Sequence, residues 1–404
     1  MRIIHSSDWH LGKNLEGISR IEEQEEFCQD FIELVEKEKA DMVIIAGDVY
    51  DTYNPPAVAE KLFYETIEKL SDDGNRCVYI IAGNHDNPER LEAIKPLVST
   101  KGIVILGYPM SKADTGKFEG FEILEGKEGF TKIKIKDEVI NIIGIPYPSE
   151  KRLNDAIDNF ENIEDMQDSY SKKIGDIFES LEENYREDEI NIAVSHIFVV
   201  GSEKSESERR IELGGSLLVE KTSLPKKSQY TALGHIHKPQ RISNKYNAYY
   251  SGSPIQYSKS ERNTAKSVYL IDIEAQKDAE VSKLYTKNYK QIILFECDNI
   301  EEAIDICEKR SDEDLFAYFE IRTKEALKLS EIRKMKKTMK HILEIKPIIE
   351  SIDYEFEKES IDINKSNISD YFVDFYKKNN EGMEPSEEVK NLFESIVNDE
   401  EEVE

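Results

Sequence analysis

The sequence predicts an α/β protein with two mixed β-sheets that carry helices on their outer faces, followed by a small α+β domain and a helical C-terminal segment. Two observations support this fold class. Short β-branched runs alternate with amphipathic runs through the first third of the 404-residue chain, which is the rhythm of strands and helices in an α/β core. After Tyr354 the chain becomes polar and highly charged, and two amphipathic runs interrupt it.

The first third of the chain predicts strands and helices in strict alternation. The run Asp41–Ala46 is too apolar for a half-exposed strand, so it indicates a sheet that is covered on both faces. Apolar residues between Phe27 and Val35 recur at helical spacing. The predicted elements are strand Met1–Ser6, helix Glu22–Lys39, strand Asp41–Ala46, helix Ala57–Leu70 and strand Cys77–Ala82.

Later apolar runs predict a second sheet and then a smaller unit. The second sheet would take a hairpin at Thr131–Ile145, strands at Asn191–Val194 and Tyr230–Leu233, and strands within Ala248–Asp272, with a charged helix at Tyr170–Tyr185. We interpret Glu274–Lys290 as a linker. Gln291–Asp353 then predicts strand, helix, strand, basic helix and strand, with Ile332–His341 in the basic helix.

The charge of the chain is strongly negative overall but locally positive. With 83 Asp and Glu against 54 Lys and Arg, the formal net charge is −29, which repels a nucleic-acid backbone from most of the surface. Lys221–Leu270 has nine Lys and Arg against one acid, and Arg322–Lys346 has nine against three. These two stretches would attract a polyanion, although ordinary solvated faces explain them equally well on charge alone.

The composition disfavours a membrane or secreted protein. No apolar run approaches the length of about 18 residues that a membrane span needs, and the N-terminal MRIIHSSDWH lacks the apolar core of a signal peptide. The four cysteines form no C-x-x-C pair, so they predict neither a zinc ribbon nor a disulfide framework. We therefore expect a cytoplasmic protein whose cysteines are reduced packing residues.

Five short polar blocks stand at the ends of predicted strands. Loops at the carboxyl edge of a sheet converge on one crevice, and residues two apart on an extended backbone point the same way. Glycines precede Asp48, Asn84 and His235, where they allow a close backbone approach or a positive φ. The blocks are Asp8-Trp9-His10, Gly47-Asp48-Val49-Tyr50-Asp51, Gly83-Asn84-His85-Asp86, Ser195-His196 and Gly234-His235-Ile236-His237.

The blocks predict a centre with two metal ions. Carboxylates, imidazoles and an amide without a thiolate suit a borderline divalent ion such as Mn²⁺, Fe²⁺ or Zn²⁺ better than Ca²⁺. Seven ligands are too many for one ion but fit two ions that share a carboxylate, as in sites that catalyse displacement at phosphorus. Turn propensity could explain any one block but not all five. His5 is predicted to be a packed or surface residue with no role in the site, and Trp9 to be a packing residue beside it. The candidate ligands are Asp8, His10, Asp48, Asn84, His196, His235 and His237.

In this order, D-x-H, G-D-x-x-D, G-N-H-D, a later lone His and G-H-x-H resemble the motifs of the calcineurin-like metallophosphoesterases. SDWHLGK, AGDVYDTYNPP, AGNHD, ALGHIHKPQ and YSGSPIQYS are similar to one bacterial branch of that family, whose members are the nuclease components of DNA-processing complexes. The resemblance is specific over residues 1–272 and looser beyond them. It implies a nuclease domain at 1–275, a DNA-contacting cap domain at 290–353, a partner-binding helical segment at 365–398 and an acidic tail at 399–404, in a protein that works at the bacterial nucleoid.

The resemblance also implies roles for the residues of the blocks. His85 would be the general acid for the leaving 3′ oxygen, and Asp51, which takes the place of a second histidine in some relatives, would orient a neighbouring group. The implied ligands are Asp8, His10 and His237 for one ion, Asn84, His196 and His235 for the other, and Asp48 as the bridge between them.

The implied partners are DNA and an ATPase with a coiled coil, in a heterotetramer built on a homodimer of this chain. The amphipathic segments Ser369–Lys378 and Ser386–Val397 are the predicted helices that bind the coiled coil of the ATPase. Their predicted contact residues are Tyr371, Phe372, Phe375, Val389, Leu392, Phe393 and Ile396. Basic residues that follow or flank the G-H-x-H block are the predicted DNA contacts, namely Lys238, Arg241, Lys245, Lys259 and Arg262.

The sequence leaves three functions to be distinguished. The first is a two-metal DNA nuclease, with 3′–5′ exonuclease action on double strands and endonuclease action on single strands and hairpins, in DNA repair and recombination. The second is a phosphodiesterase or phosphatase for small esters, which would need neither the basic stretch nor the C-terminal extension. The third is a nuclease-inactive scaffold that binds DNA and the ATPase, and the seven competent ligand side chains disfavour it.

Overall fold

A computed structural model of the chain describes residues 1–98, 100–149, 151–153, 163–208, 217–243, 245–324 and 326–349, together with short pieces between 372 and 393. Met1–Ile349 forms one compact unit and Glu350–Glu404 a second.

The helices of the first unit are α1 (Ile21–Lys37), α2 (Ala57–Ser71), α3 (Pro88–Glu92), α4 (Lys95–Val98), α5 (Ile163–Leu181), α6 (Ile300–Lys309) and α7 (Leu329–Thr338). Its strands are β1 (Arg2–Ser6), β2 (Asn14–Leu15), β3 (Ile18–Ser19), β4 (Met42–Ala46), β5 (Cys77–Ile81), β6 (Ile103–Leu106), β7 (Gly116–Lys117), β8 (Phe121–Lys127), β9 (Phe130–Ile135), β10 (Glu138–Ile145), β11 (Ile190–His196), β12 (Phe198–Val199), β13 (Leu218–Val219), β14 (Tyr230–Gly234), β15 (Gln240–Ser243), β16 (Ala248–Tyr250), β17 (Ser267–Asp272), β18 (Glu280–Tyr285), β19 (Gln291–Cys297), β20 (Leu315–Thr323) and β21 (Ile342–Ile349).

Two mixed sheets face each other in this unit. The first has the strand order β18-β17-β1-β4-β5-β6, in which β1, β4, β5 and β6 run parallel and β17 and β18 form an antiparallel edge. The second has the order β15-β16-β14-β11-β10-β9-β8-β7, and its strands from β16 to β10 are parallel. The two-sheet sandwich that the sequence predicts is confirmed.

Alternate residues of the strands fill different layers, because successive side chains point to opposite faces of a sheet. Ile3 of β1 and Ile142 of β10 meet between the two sheets. Ile4 points the other way and packs in the layer that holds Phe31 of α1, while Phe178 of α5 packs on the outer face of the second sheet. Because each sheet is covered on both faces, β4 is buried along its whole length, as its apolar sequence predicts.

The last three strands, β19, β20 and β21, form a separate parallel sheet that carries α6 and α7. The order strand, helix, strand, helix, strand is the order predicted for Gln291–Asp353. On the opposite face, Ile292, Phe316 and Tyr318 pack with Leu15 of the β2–β3 hairpin. The small sheet therefore rests against the segment that follows the Asp8-Trp9-His10 block.

Two sequence interpretations are wrong. Glu280–Tyr285 forms the edge strand β18, paired with β17, and so Glu274–Lys290 is not simply a linker. Most side chains of this strand are exposed, which removes the apolar pattern that marks buried strands. His341 does not lie in the basic helix, because α7 ends at Thr338 and His341 takes a positive φ of 55° in the turn before β21.

Trp9 and the cysteines pack as predicted, and of the two positions predicted for His5, packed or at the surface, the structure shows the packed one. Trp9 is buried with its ring edge-on to Phe27 and Phe31. His5 is buried, and its Nδ1 lies 2.9 Å from the hydroxyl of Tyr230. All four cysteines are buried and free of disulfides. Within the described ranges, no helix combines the length and the apolar character that crossing a membrane requires.

In the second unit, described aromatic side chains from the two predicted amphipathic segments contact each other. The rings of Phe372 and Phe393 stack with 4.2 Å between their centroids and 7° between their planes, and Tyr376 lies beside Phe372. Val389 is half-buried. The other predicted partner contacts lie outside the described residues, and these are Tyr371, Phe375, Leu392 and Ile396.

Candidate metal centre

The five predicted blocks converge where the carboxyl ends of the parallel strands of both sheets meet. Strands β1, β4 and β5 are neighbours in the first sheet, and β11 and β14 are neighbours in the second. Main-chain hydrogen bonds connect the loops of the first two blocks. Asp8 N donates to Gly47 O, and His10 N donates to Asp48 O, both at 3.0 Å. The carboxylate of Asp8 accepts from His235 N of the opposite sheet at 2.9 Å. The structure thereby brings all seven predicted ligand residues together.

The first set of ligand atoms belongs to Asp8, His10 and His237. These three buried side chains place one ligand atom each within 4.8 Å of the others. The Nε2 atoms of His10 and His237 face each other at 3.0 Å. Two imidazole nitrogens this close need a proton or a cation between them, which is the arrangement expected of two ligands to one ion.

The second set centres on the side-chain oxygen of Asn84. This atom lies 3.0 Å from His196 Nε2 and 2.9 Å from His235 Nδ1. The imidazole of His235 also stacks on Tyr147, with 6.4 Å between the ring centroids. An amide oxygen and two imidazoles are again a suitable donor set for a borderline divalent ion.

Asp48 stands between the two sets. Its Oδ2 lies 3.6 Å from His10 Nε2 and 3.4 Å from His196 Nε2. Its Oδ1 accepts a hydrogen bond from the main-chain N–H of His85 at 2.9 Å, which fixes the plane of the carboxylate. One carboxylate therefore reaches the imidazoles of both sets.

In two of the imidazoles, the ring nitrogen that points away from the cluster has a hydrogen-bond partner, as expected of histidines that bind a metal. His196 donates its Nδ1–H to Ala46 O at 2.8 Å, and His237 Nδ1 lies 2.5 Å from the hydroxyl of Ser207. In both rings the Nε2 atom is left facing the cluster. Metal-binding histidines are held by such outer hydrogen bonds, so the site is organised to present nitrogen lone pairs.

Because the carboxylates and imidazoles of the cluster are buried close together, each shifts the pKa of its neighbours. Burial raises the pKa of Asp8 to about 6, although His196 and His237 oppose the rise. Burial would also raise the pKa of Asp48, but the imidazoles of His196, His85 and His10 outweigh it and hold that pKa well below its ordinary value. Burial would lower the pKa of His196, yet the Asp48 carboxylate raises it to about 9. Carboxylates buried this deeply require positive charge beside them, and divalent cations supply it.

Four of the candidate ligands have left-handed backbones. Asp8, His10, Asp48 and His235 have φ values of 54°, 45°, 50° and 106°. Such conformations cost residues other than glycine about 1–3 kcal/mol each and cluster at functional sites. The bonds between the loops hold these strained residues in place.

Two glycines make room for the ligands. Gly47 has a φ of 91°, and a Cβ there would lie 2.3 Å from His196 Nδ1. A Cβ on Gly83 would lie 2.1 Å from Asp48 Oδ1. Both positions exclude a side chain because a ligand from another loop occupies the space, as the sequence pattern predicts.

With this geometry established, comparison with known proteins identifies the family. The model of the calcineurin-like phosphoesterases matches residues 1–239, which contain all five blocks. The chain belongs to the calcineurin-like phosphoesterase family. It is therefore a metal-dependent hydrolase of phosphodiester bonds.

Relatives within the phosphoesterase family extend over nearly the whole chain. A protein from Bacillus subtilis, named as the SbcD subunit of the nuclease SbcCD, is 38% identical over 395 residues, which is 97% of each chain. A protein of the same name from Staphylococcus epidermidis is 26% identical over 408 residues, covering 98% of this chain and 99% of that protein. The resemblance to the nuclease branch that the motifs predict is thus confirmed. Among solved structures, a dimetal phosphatase from Danio rerio has a TM-score of 0.37 at 10% identity, covering 70% of this chain and 98% of that one, a likeness too low to support any inference.

His85 lies beside the centre of this phosphoesterase. Its ring centroid is 4.6 Å from that of His10, and its Nδ1 donates to the main-chain oxygen of Asp51 at 2.6 Å. The carboxylate of Asp51 accepts from Lys13 Nζ at 2.6 Å and lies 3.4 Å from His10 Nδ1. His10, Asp51 and His85 are also close enough to share an ion, with ligand atoms within 4.8 Å of one another.

Two residues to which the sequence assigned no role tie the ligand loops together. The buried carboxylate of Asp86 accepts from the N–H groups of Val49, Tyr50 and Gly83, at 3.2, 2.9 and 2.8 Å. Arg152 donates to Gly83 O and Asp86 O, both at 2.7 Å. Asp86 could have been found as the last residue of the G-N-H-D block, whereas Arg152 follows no motif and carries no local signal.

A third missed residue, Glu261, supports His237. It is the one acid of the basic stretch Lys221–Leu270, yet its side chain is only 1% exposed. Its carboxylate accepts from Ser207, the residue beside His237 Nδ1, and from the ammonium of Lys266. Lys266 also donates to His237 O at 2.9 Å. The positive charge of Lys266 therefore neutralises Glu261 and helps to hold the main chain at His237.

The predicted DNA contacts lie in different environments. Lys238, directly after a ligand, forms an ion pair with Glu203. Lys259, in the 3₁₀ helix Lys259–Asn263, contacts Glu320 at 3.0 Å and Glu344 at 3.1 Å. Because these two glutamates belong to β20 and β21, Lys259 connects the 3₁₀ helix to the small sheet, and its positive charge is largely compensated.

The other three predicted DNA contacts differ in accessibility. Arg241 and Lys245 are exposed, and Arg262 is half-exposed. Arg241 lies over the ring of Tyr249 and donates to Asn247 at 2.6 Å. Arg241 and Lys245 therefore remain the better candidates for phosphate contacts.

Proposed function

We propose that this phosphoesterase is a two-metal DNA nuclease. The observation that carries the proposal is the position of Asp48 Oδ2 within 3.6 Å of imidazole nitrogens from both ligand sets. It supports two neighbouring ions with a shared carboxylate, the arrangement used for displacement at phosphorus. The proposed ligands are Asp8, His10 and His237 for one ion, Asn84, His196 and His235 for the other, and Asp48 for both.

Divalent ions held by these residues, Mn²⁺ in our proposal, would supply Lewis-acid charge to the phosphoryl oxygens and would make the attacking water more acidic. His85 contributes the proton that the leaving 3′ oxygen takes up. Because Nδ1 of His85 is committed to Asp51 O, the ring exchanges protons with substrate through Nε2. Imidazoles can carry a proton near neutral pH and commonly act as general acids.

The proposed substrate is DNA, cleaved as a 3′–5′ exonuclease on double-stranded ends and as an endonuclease on hairpins and single strands. The names of the relatives support a nuclease, and α7 supports a polyanionic ligand. Met335 anchors this helix to the small sheet, while Arg333, Lys336 and Lys337 are exposed on it. Such an exposed row of cations suits a phosphate backbone.

The proposed partner is an SbcC-type ATPase with a coiled coil, in a heterotetramer that contains two copies of this chain. The relatives are named as one component of a complex, SbcCD, which supports a complex of this kind. The amphipathic segments of the second unit, joined by Phe372 and Phe393, supply helices of the sort that lie in apolar grooves.

One set of assays tests the nuclease proposal. Purified protein with Mn²⁺ receives labelled duplex DNA, a DNA hairpin and bis(p-nitrophenyl) phosphate in parallel. We expect cleavage of both DNAs. Hydrolysis of the small ester alone would favour a small-ester phosphodiesterase, and tight DNA binding without any hydrolysis would favour a scaffold.

Matched carboxylate variants test the metal assignment. Asp48→Ala is expected to remove activity on every substrate and to lower metal content at both sites, since each ion loses a ligand. Asp137→Asn, in the exposed turn between β9 and β10, is the control and keeps both ions. Two fully occupied ions in Asp48→Ala would contradict the bridging role.

A further inference from the structure

We propose that Lys13 is a positioning residue that holds the imidazole of His85 in place through Asp51. The inference rests on the proposed function, because it takes His85 as the group that protonates the leaving oxygen. Lys13 stands three residues after His10 and belongs to none of the ligand sets. It joins the loop of the first block to the loop of the second.

The contacts of Lys13 bridge these loops. Its main-chain N–H donates to His10 O at 3.0 Å, so its backbone is anchored to the first block. Its ammonium donates to Asp51 Oδ1 at 2.6 Å and lies 5.7 Å from the ring centroid of Tyr257. The side chains of Lys13 and Asp51 are only 15% and 20% exposed, so solvent screens this ion pair less than a surface pair.

Asp51 passes the constraint to His85 through its main chain. The peptide oxygen of Asp51 accepts from His85 Nδ1 at 2.6 Å, and the N–H of Asp51 donates to Leu11 O at 3.3 Å. The position of this one residue therefore sets both the tautomer and the direction of the His85 ring. With the ammonium removed, the Asp51 carboxylate loses its 2.6 Å partner, and His10 Nδ1 lies farther away at 3.4 Å.

Two other roles for Lys13 are less consistent with these contacts. A direct contact to a DNA phosphate would need an accessible ammonium, whereas this one is largely covered and paired. A third ion held by His10, Asp51 and His85 would have to share the Asp51 carboxylate with the ammonium, which already places a cation 2.6 Å from its Oδ1.

The test compares two leaving groups in Lys13→Met and Lys13→Arg. The leaving oxygen of DNA is a sugar alkoxide that needs a proton, whereas p-nitrophenolate departs without one. If Lys13 acts through His85, Lys13→Met lowers kcat on duplex DNA about tenfold or more, as part of the contribution of about 10²–10⁴-fold that general acid catalysis makes. It leaves hydrolysis of bis(p-nitrophenyl) phosphate, the metal content and the Kd for DNA close to those of the unsubstituted protein.

Further measurements sharpen the result. Lys13→Arg keeps the charge and is expected to restore most of the DNA activity, and Lys13→Met combined with His85→Ala is expected to be no slower than His85→Ala alone. Equal losses on both substrates together with loss of metal would show that Lys13 acts through His10 and would overturn the proposal. A weaker DNA affinity with a flatter salt dependence would overturn it in favour of a phosphate contact. Failure of the proposed function itself is seen separately, as absence of DNA cleavage by the unsubstituted protein.

Discussion

Alanine at Gly83 would place a methyl group in the space of the Asp48 carboxylate. A Cβ at this position lies 2.1 Å from Asp48 Oδ1 and 2.3 Å from Asp48 N, whereas relaxed contacts between carbon and other heavy atoms are about 3.5–4.0 Å. The two loops must therefore separate by about 1 Å or more. Asp48 has little freedom to turn aside, because its Oδ1 is held by the N–H of His85.

The expected loss of activity follows from this displacement. A shift of about 1 Å in catalytic geometry costs about 100-fold in rate, so Gly83→Ala is expected to lower kcat at least this much on DNA and on the small ester alike. Metal content falls at both sites, since Asp48 is shared. Overpacking costs about 1–3 kcal/mol of the free energy of unfolding, which is less than the typical stability of a domain, about 5–15 kcal/mol, so the variant is expected to fold.

The assay measures kcat, metal content and thermal unfolding side by side for two glycine variants. The control is Gly116→Ala in β7, where the nearest atom to a Cβ is on the ring of Phe118 at 3.5 Å, an ordinary contact distance. This control loses the same backbone freedom in the unfolded chain without a clash. A Gly83→Ala protein with two ions and normal kcat would refute the reasoning, because Asp48 would then tolerate the shift.

Three other predictions concern DNA, the partner and pH. Neutralising Arg241 and Lys245 together is expected to flatten the log–log salt dependence of DNA binding by nearly two units, at about 0.9 per phosphate contact, and an unchanged slope would move the DNA path elsewhere, with α7 the first alternative. Truncation after Ile349 is expected to preserve hydrolysis of the small ester and to abolish co-purification with the ATPase, so a truncated chain that still binds the ATPase contradicts the partner assignment. Burial lowers the pKa of His5 from its ordinary 6.5 to about 3, so the unfolded chain binds a proton that the folded chain excludes, and stability declines below pH 6.5 by about 1.4 kcal/mol per pH unit. Urea unfolding at pH 7 and pH 5 is expected to show a smaller decline in His5→Gln, and equal declines would refute the assignment.

The candidate ligands could be recognised from the sequence because their signals are local. Asp48 directly follows the apolar run Asp41–Ala46 and a glycine, and His235 and His237 follow another strand and another glycine. Parallel neighbours in a sheet bring their carboxyl ends to one edge, so position after a strand is enough to predict convergence. The chemistry of the side chains then indicates a metal.

The charge pattern of the sequence is less informative about the structure, because the pairing of a charge depends on residues far away in the sequence. Lys259 lies in a strongly basic stretch, yet it contacts Glu320 and Glu344 of the small sheet. Glu261 counts as one negative charge in the sequence, but in the structure it is buried beside Lys266 and supports the candidate ligand His237. Net charge along the chain cannot distinguish a cation that faces solvent from one that is already neutralised.

The sequence by itself determined the two-sheet sandwich and the set of candidate ligand residues, because periodicity, turn residues and side-chain type are properties of short segments. Only the tertiary structure decided the edge strand Glu280–Tyr285, whose exposed side chains show no apolar pattern and whose main-chain pairing with β17 defines it. It also decided that Asp48 Oδ2 lies between the imidazoles of His10 and His196 and that Lys13 reaches Asp51 beneath His85. These distances depend on how two sheets and their loops pack against each other, and no local pattern in the chain encodes them.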